Sequence, residues 1–190
     1  MSEDRASEAP VAEPLDPRRA AWLATAIGIP IYGALSLLMA VAAAPVVEAL
    51  APDRSEVDDA AIFVGVGILN TAIAVLGILL IAHTIGRLVF SATRNGGDRR
   101  ASIVFAVMGA LLAAPVVTLV ALGQSETAAG AAYAILAVAM PASVTSGLTR
   151  AVLPTVAASR AAGRAAAVVA VLAVVIVLAW ASITLFGAAN

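Results

Sequence analysis

The chain has 190 residues, of which 62% are apolar, 12% are charged and 48 are alanine, and its mean hydropathy is +1.03. Net charge is −1, from eleven arginines, no lysine and twelve acids, with one histidine and no cysteine. These values exclude a soluble enzyme, which needs a charged shell, as well as a disordered chain, a basic nucleic-acid-binding face, a disulfide framework and a cysteine or histidine zinc cluster.

Residues 1–19 carry five acids, three arginines and three prolines with little apolar content, so they read as a disordered cytoplasmic tail. The remaining 20–190 form a membrane domain. Charges there fall in short clusters between uncharged runs of 23 to 28 residues. Each run exceeds the roughly 20 residues that a helix needs to cross a hydrocarbon core of about 30 Å. The expected architecture is an all-α integral membrane bundle of five transmembrane helices.

Span one covers about 20–47, too long for a signal-peptide apolar region and therefore an uncleaved anchor. The acidic segment 48–59 follows, in which Ser55 and Asp58 resemble a capping box for the next helix. Span two covers about 60–86, with its helical pattern continuing toward Thr93 before Asn95, Gly96 and Gly97 stop it. Asp98 is placed to cap span three, about 101–123. Span four, about 128–149, is the most polar, diluted by Gly130, Pro141, Ser143, Thr145, Ser146, Gly147 and Thr149. Residues 150–164 read as a basic connector, and span five covers about 166–188.

Arginine placement supports a full crossing by span four. With five spans and a cytoplasmic N-terminus, ten arginines (Arg5, Arg18, Arg19, Arg87, Arg94, Arg99, Arg100, Arg150, Arg160 and Arg164) lie inside and Arg54 alone lies outside, with the C-terminus external. Trp22 and Phe90 then fall near the inner interface, and Phe63, Tyr133, Trp180 and Phe186 near the outer one. The motif AAPVV at 43–47 and again at 113–117 hints that spans one and two duplicate spans three and four. Composition of this alanine-rich, arginine-only kind accompanies GC-rich coding and points to a bacterial plasma membrane.

No Asp, Glu, Lys or Arg lies inside a span, which argues against a proton relay, ion pump or voltage sensor. Tyr32 and Ser36, four apart on span one, share a side at the depth of Asn70 on span two. An unpaired amide there is costly, so Asn70 is expected to bond one of them as interhelical glue, with a polar cavity lining as the alternative. His83 and Arg87, one turn apart, are a candidate interfacial site for an anion or lipid headgroup, against the plainer reading of a histidine beside a snorkelling arginine. Pro30, Pro45, Pro115 and Pro141 are each expected to bend their span, with neighbouring side chains or water satisfying the freed carbonyls. Pro141, followed by Ser143, Thr145 and Ser146, is the best candidate for a locally opened helix. Gly109 with Ala113, and Gly130 with Ala134, have the small-residue spacing that lets helices approach closely. The acids of 48–59 lack EF-hand spacing and read as a solvated loop.

No catalytic residue, metal site or cofactor is indicated. Expected partners are the lipid bilayer and a protein partner or a second copy of the chain, with no nucleic acid. The sequence reads first as a non-enzymatic accessory or scaffold protein of the plasma membrane. The alternative is a small transporter or permease for a neutral or apolar solute, built around Tyr32, Asn70 and the broken span four and acting as an oligomer.

Overall fold

The computed structural model describes residues 15–50, 74–93, 97–123 and 127–187, with side chains to 179. Every regular element among them is helical: α1 (Pro17–Leu50), α3 (Ile85–Thr93), α4 (Asp98–Leu122), α5 (Thr127–Ala134), a π-helical turn (Ile135–Ala139), α6 (Met140–Ala157) and α7 (Arg160–Gly187), with α2 (Ala74–His83) before α3. Four helices, counting Thr127–Ala157 as one, are long and apolar enough to cross a membrane, and the bent α2–α3 pair makes up to five. The expected capping box at Ser55 and the first half of span two, including Asn70, lie outside the described residues.

The first helix starts earlier than its apolar content implies. Asp16 caps it: the Arg19 amide donates to Asp16 Oδ2 at 3.3 Å and the Ala20 amide to Asp16 O at 2.8 Å. Pro17 occupies the first helical position, where its missing N–H costs nothing. Residues 17–19, assigned above to the tail, therefore belong to α1, which at 34 residues is about 51 Å long and outreaches the hydrocarbon core.

Span two is bent by 48° between α2 and α3, a bend not expected from the sequence because no proline marks it. Two local features make it. The Thr84 hydroxyl donates back to Leu80 O at 2.6 Å, and the Thr84 amide is shared between Leu80 O at 3.0 Å and Ile81 O at 3.3 Å; hydroxyls bonded in this way bend helices. Gly86 supplies the second: a Cβ there would lie 2.8 Å from Ile81 O, so the bend needs a residue without one.

Residues 150–164 are not a connector. Helix α6 runs through Pro154 to Ala157, and only Ala158 and Ser159 separate it from α7. Ser159 caps α7, its Oγ accepting from the Ala162 amide at 3.3 Å. The Arg19 guanidinium donates to Ala157 O at 3.3 Å, tying the start of α1 to the end of α6. Asp98 also departs from expectation. Gly97 is the cap position of α4 and makes no side-chain bond, while the Asp98 carboxylate meets Arg150 at 3.5 Å. The arginine-bearing ends of α1, α3, α4, α6 and α7 thus gather at one end of the bundle.

Packing relies on small side chains. Ala101, Ala129, Ala134 and Ala137 are completely buried, and α4 packs most extensively on α6 while α1 lies against α5, α6 and α7. Gly109, Ala113, Gly130 and Ala134 are all buried, as their spacing implied. Large apolar side chains such as Leu37, Leu111, Leu119 and Ile176 point outward, the arrangement of a bundle solvated by lipid.

Candidate functional site

Pro141 organises the centre of the bundle. Having no N–H, it cannot donate to Ala137 O, and its ring crowds that carbonyl. The chain responds by widening one turn into the π-helix at Ile135–Ala139, closed by the Met140 amide donating to Ile135 O. Ser36 Oγ, from α1, donates to Ala137 O at 2.8 Å and supplies what proline withholds. The locally opened helix expected at Pro141 is present, on its N-terminal side, and a neighbouring side chain satisfies the freed carbonyl. Ser36→Ala removes this donor and is expected to cost about 0.6 to 1.7 kcal/mol, the range of interhelical hydrogen bonds in membranes. Thermal unfolding in detergent reads it, and an unchanged midpoint would mean that Ala137 O finds another donor.

Beyond Pro141, residues Thr145, Thr149 and Leu153 follow at four-residue spacing and form the buried stripe of α6. The two threonines behave unlike seven other hydroxyls among the described residues. Thr25, Thr84, Ser91, Thr93, Ser102, Thr118 and Ser146 each donate to the carbonyl four residues back. Thr145 Oγ1 and Thr149 Oγ1 are buried and have no hydrogen-bond partner. Both line a half-open cleft of about 170 Å³ between α1, α2, α4 and α6.

The cleft exists because glycines and alanines leave it open. Gly28 and Ala24 form its α1 wall, Ala74 and Gly77 its α2 wall, and Phe105, Met108 and Leu112 the α4 wall. A Cβ on Gly28 would approach Ile78 Cγ2 to 3.4 Å and Thr149 Oγ1 to 3.6 Å, so even alanine narrows the space at the two hydroxyls. Tyr32, buried, lines the cleft one turn beyond Gly28.

A smaller chamber of about 40 Å³ lies at the arginine-bearing end and shares Ala24, Ala82, Gly86, Phe105 and Thr149 with the cleft. Arg87, Phe90 and Arg150 line it. Arg150 is 7% exposed, yet its ion pair with Asp98 spans 3.5 Å and its partner is 78% exposed. Its Nε has no hydrogen-bond partner, and its guanidinium carbon stands 5.5 Å from the centre of the Phe90 ring.

The described residues among those singled out in the sequence are thus distributed over four places. Tyr32 lines the cleft, Ser36 bonds the π-helical turn, and Asn70 lies outside the described residues. His83 and Arg87 straddle the bend. The His83 ring packs edge-on against Trp22 at 4.6 Å and lies 2.9 Å from Leu79 O through Nδ1, whereas Arg87 joins Arg150 in the chamber. Sequence reasoning missed Arg150 as a buried group, together with Thr149. The signal was present in the four-residue spacing Pro141, Thr145, Thr149, which carries the helix without interruption onto Arg150.

Comparisons with protein-family models, with curated proteins and with solved structures find no match to this chain.

Proposed function

We propose that the chain is a five-span protein of the bacterial plasma membrane, its arginine-rich end cytoplasmic, that takes a neutral or apolar solute into the cleft between α1, α2, α4 and α6 as a small permease or carrier. The observation that carries this reading is the cleft itself. Its volume of about 170 Å³ compares with the cavity of about 150 Å³ that admits benzene in an engineered protein interior. Two unpartnered hydroxyls inside an apolar lining give the few polar contacts that orient a ligand in such sites.

A second reading, a non-enzymatic accessory or scaffold protein, is favoured by α7. Between 160 and 179 only Ala170 is buried, and Val168, Val169, Val171, Leu172, Val175 and Ile176 are exposed over a broad arc that a partner helix or a second copy could cover.

Photolabelling separates the two. Dodecanol carrying a diazirine near its methyl end, incorporated with the protein in phosphatidylcholine bilayers, is expected to label Phe105, Met108 and Leu112, which face the cleft. Val107 and Leu111, exposed on a different face of the same helix, are expected to label several-fold less. Equal labelling of the two faces sinks the solute reading and leaves the accessory one.

A further inference from the structure

We propose that the chamber at Arg150 and the cleft form one site for a single-chain acidic amphiphile, its headgroup on Arg150 and Arg87 and its chain running past Thr149 toward Tyr32. This rests on the cleft being a solute site and names the class of solute.

The unusual group is Arg150. A charged side chain is almost never this buried unless it is paired, because removing it from water costs several kcal/mol. Here the described compensation is a long contact to a largely exposed carboxylate and the face of one aromatic ring. Asp98 meets only Nη2 of the guanidinium, and Nε, on the same edge, is left without a partner. Arg87 brings a second positive charge to the same chamber. Among the described residues the chamber is lined by two arginines, with one acid paired to Arg150 from outside it, and an anion fits the balance.

The surroundings select which kind of anion. Apart from Thr149 the chamber is otherwise walled by apolar groups, including Ala20, Ala21 and Leu153, so a free anion entering it would be stripped of water with little replacing that water beyond the arginines and one hydroxyl. An amphiphile surrenders only its headgroup's hydration. Its chain leaves the chamber through the five shared residues and replaces lipid contacts with those of the cleft. Thr149 stands at the junction of the two spaces with an unpartnered hydroxyl that can donate to the headgroup.

The test extends the photolabelling at Met108 and Leu112, with unlabelled competitors compared at equal mole fraction in the bilayer. Dodecyl phosphate is expected to displace the labelled dodecanol about ten-fold better than plain dodecanol does, the size of one charge-assisted hydrogen bond. Arg150→Gln and, separately, Arg87→Gln are expected to reduce that preference while dodecanol still competes. The wild-type comparison and the less buried Arg87→Gln keep the test decisive if Arg150→Gln does not fold. Equal competition by the phosphate and the alcohol in the wild type, or a preference that survives in Arg87→Gln and in folded Arg150→Gln, overturns the amphiphile site and leaves the solute reading standing. Displacement by inorganic phosphate as effective as by dodecyl phosphate also overturns it, in favour of a free-anion site. Absence of cleft labelling removes both readings together.

Discussion

Gly109→Leu is expected to abolish the folded bundle, and even Gly109→Ala is expected to lower its stability by about 1 to 3 kcal/mol. A Cβ at this position would stand 2.5 Å from both Ala142 O and Ser146 Oγ and 3.0 Å from Ala142 C. The clash cannot be relieved by turning a flexible side chain. Ser146 Oγ is held at 2.8 Å by Ala142 O, and that carbonyl belongs to the backbone of α6, so the two helices that pack most extensively must separate. Helix propensity works in the opposite direction, since alanine is favoured over glycine by about 1 kcal/mol in a helix interior. Gly33 isolates that term, because nothing lies within 4 Å of its Cβ direction, and Gly33→Ala is expected to be neutral or stabilising. Thermal unfolding of both variants in a mild detergent gives the sign directly. A Gly109→Ala midpoint at or above the wild-type value would show that α4 and α6 do not need this approach.

The next largest effect is expected at Gly86. Alanine there brings Cβ to 2.8 Å from Ile81 O and 3.5 Å from its carbon, both backbone atoms of the preceding turn. The cost is expected to be about 1 to 3 kcal/mol against the same propensity gain of about 1 kcal/mol, and Gly86→Val adds a branched side chain at a buried position. Straightening the bend also swings α3, which carries Arg87 and Phe90 into the chamber. Gly86→Ala should therefore lower both the thermal midpoint and the yield of cleft labelling. A variant of unchanged stability with unchanged labelling would mean that the 48° bend is set elsewhere than at Gly86.

Much of this architecture is legible from where charges are missing. The uncharged runs locate the helices because a single rule, the cost of charge in hydrocarbon, governs them along their length. Pro141 is legible for a different reason: a residue without an N–H always frees a carbonyl, and only the identity of the donor, Ser36, needed three dimensions. The start of α1 was written in the pair Asp16 and Pro17, a cap followed by a first-turn residue, but the weight of charge in 1–19 masked it. The bend at Thr84 was not legible. Threonine and glycine are ordinary in membrane helices, and only the shared amide bond and the approach to Ile81 O distinguish these two. Arg150 was misplaced because counting charges treats every arginine as solvated, whereas packing of α6 against α1 and α4 buries this one.

The partners of α1 bear on how the protein is made. A chain entering the bilayer from its N-terminus delivers α1 first, and helices that insert as separate units associate afterwards. The helix next in the chain already meets α1, with Gly28 facing Ile78 and Trp22 packed on His83, whereas α5, α6 and α7 also cover it and the carbonyl that receives Ser36 is 101 residues further along. A nascent chain interrupted after α4 is therefore expected to keep α1 against α2 but to lack the Ser36 bond and the cover of the last three helices.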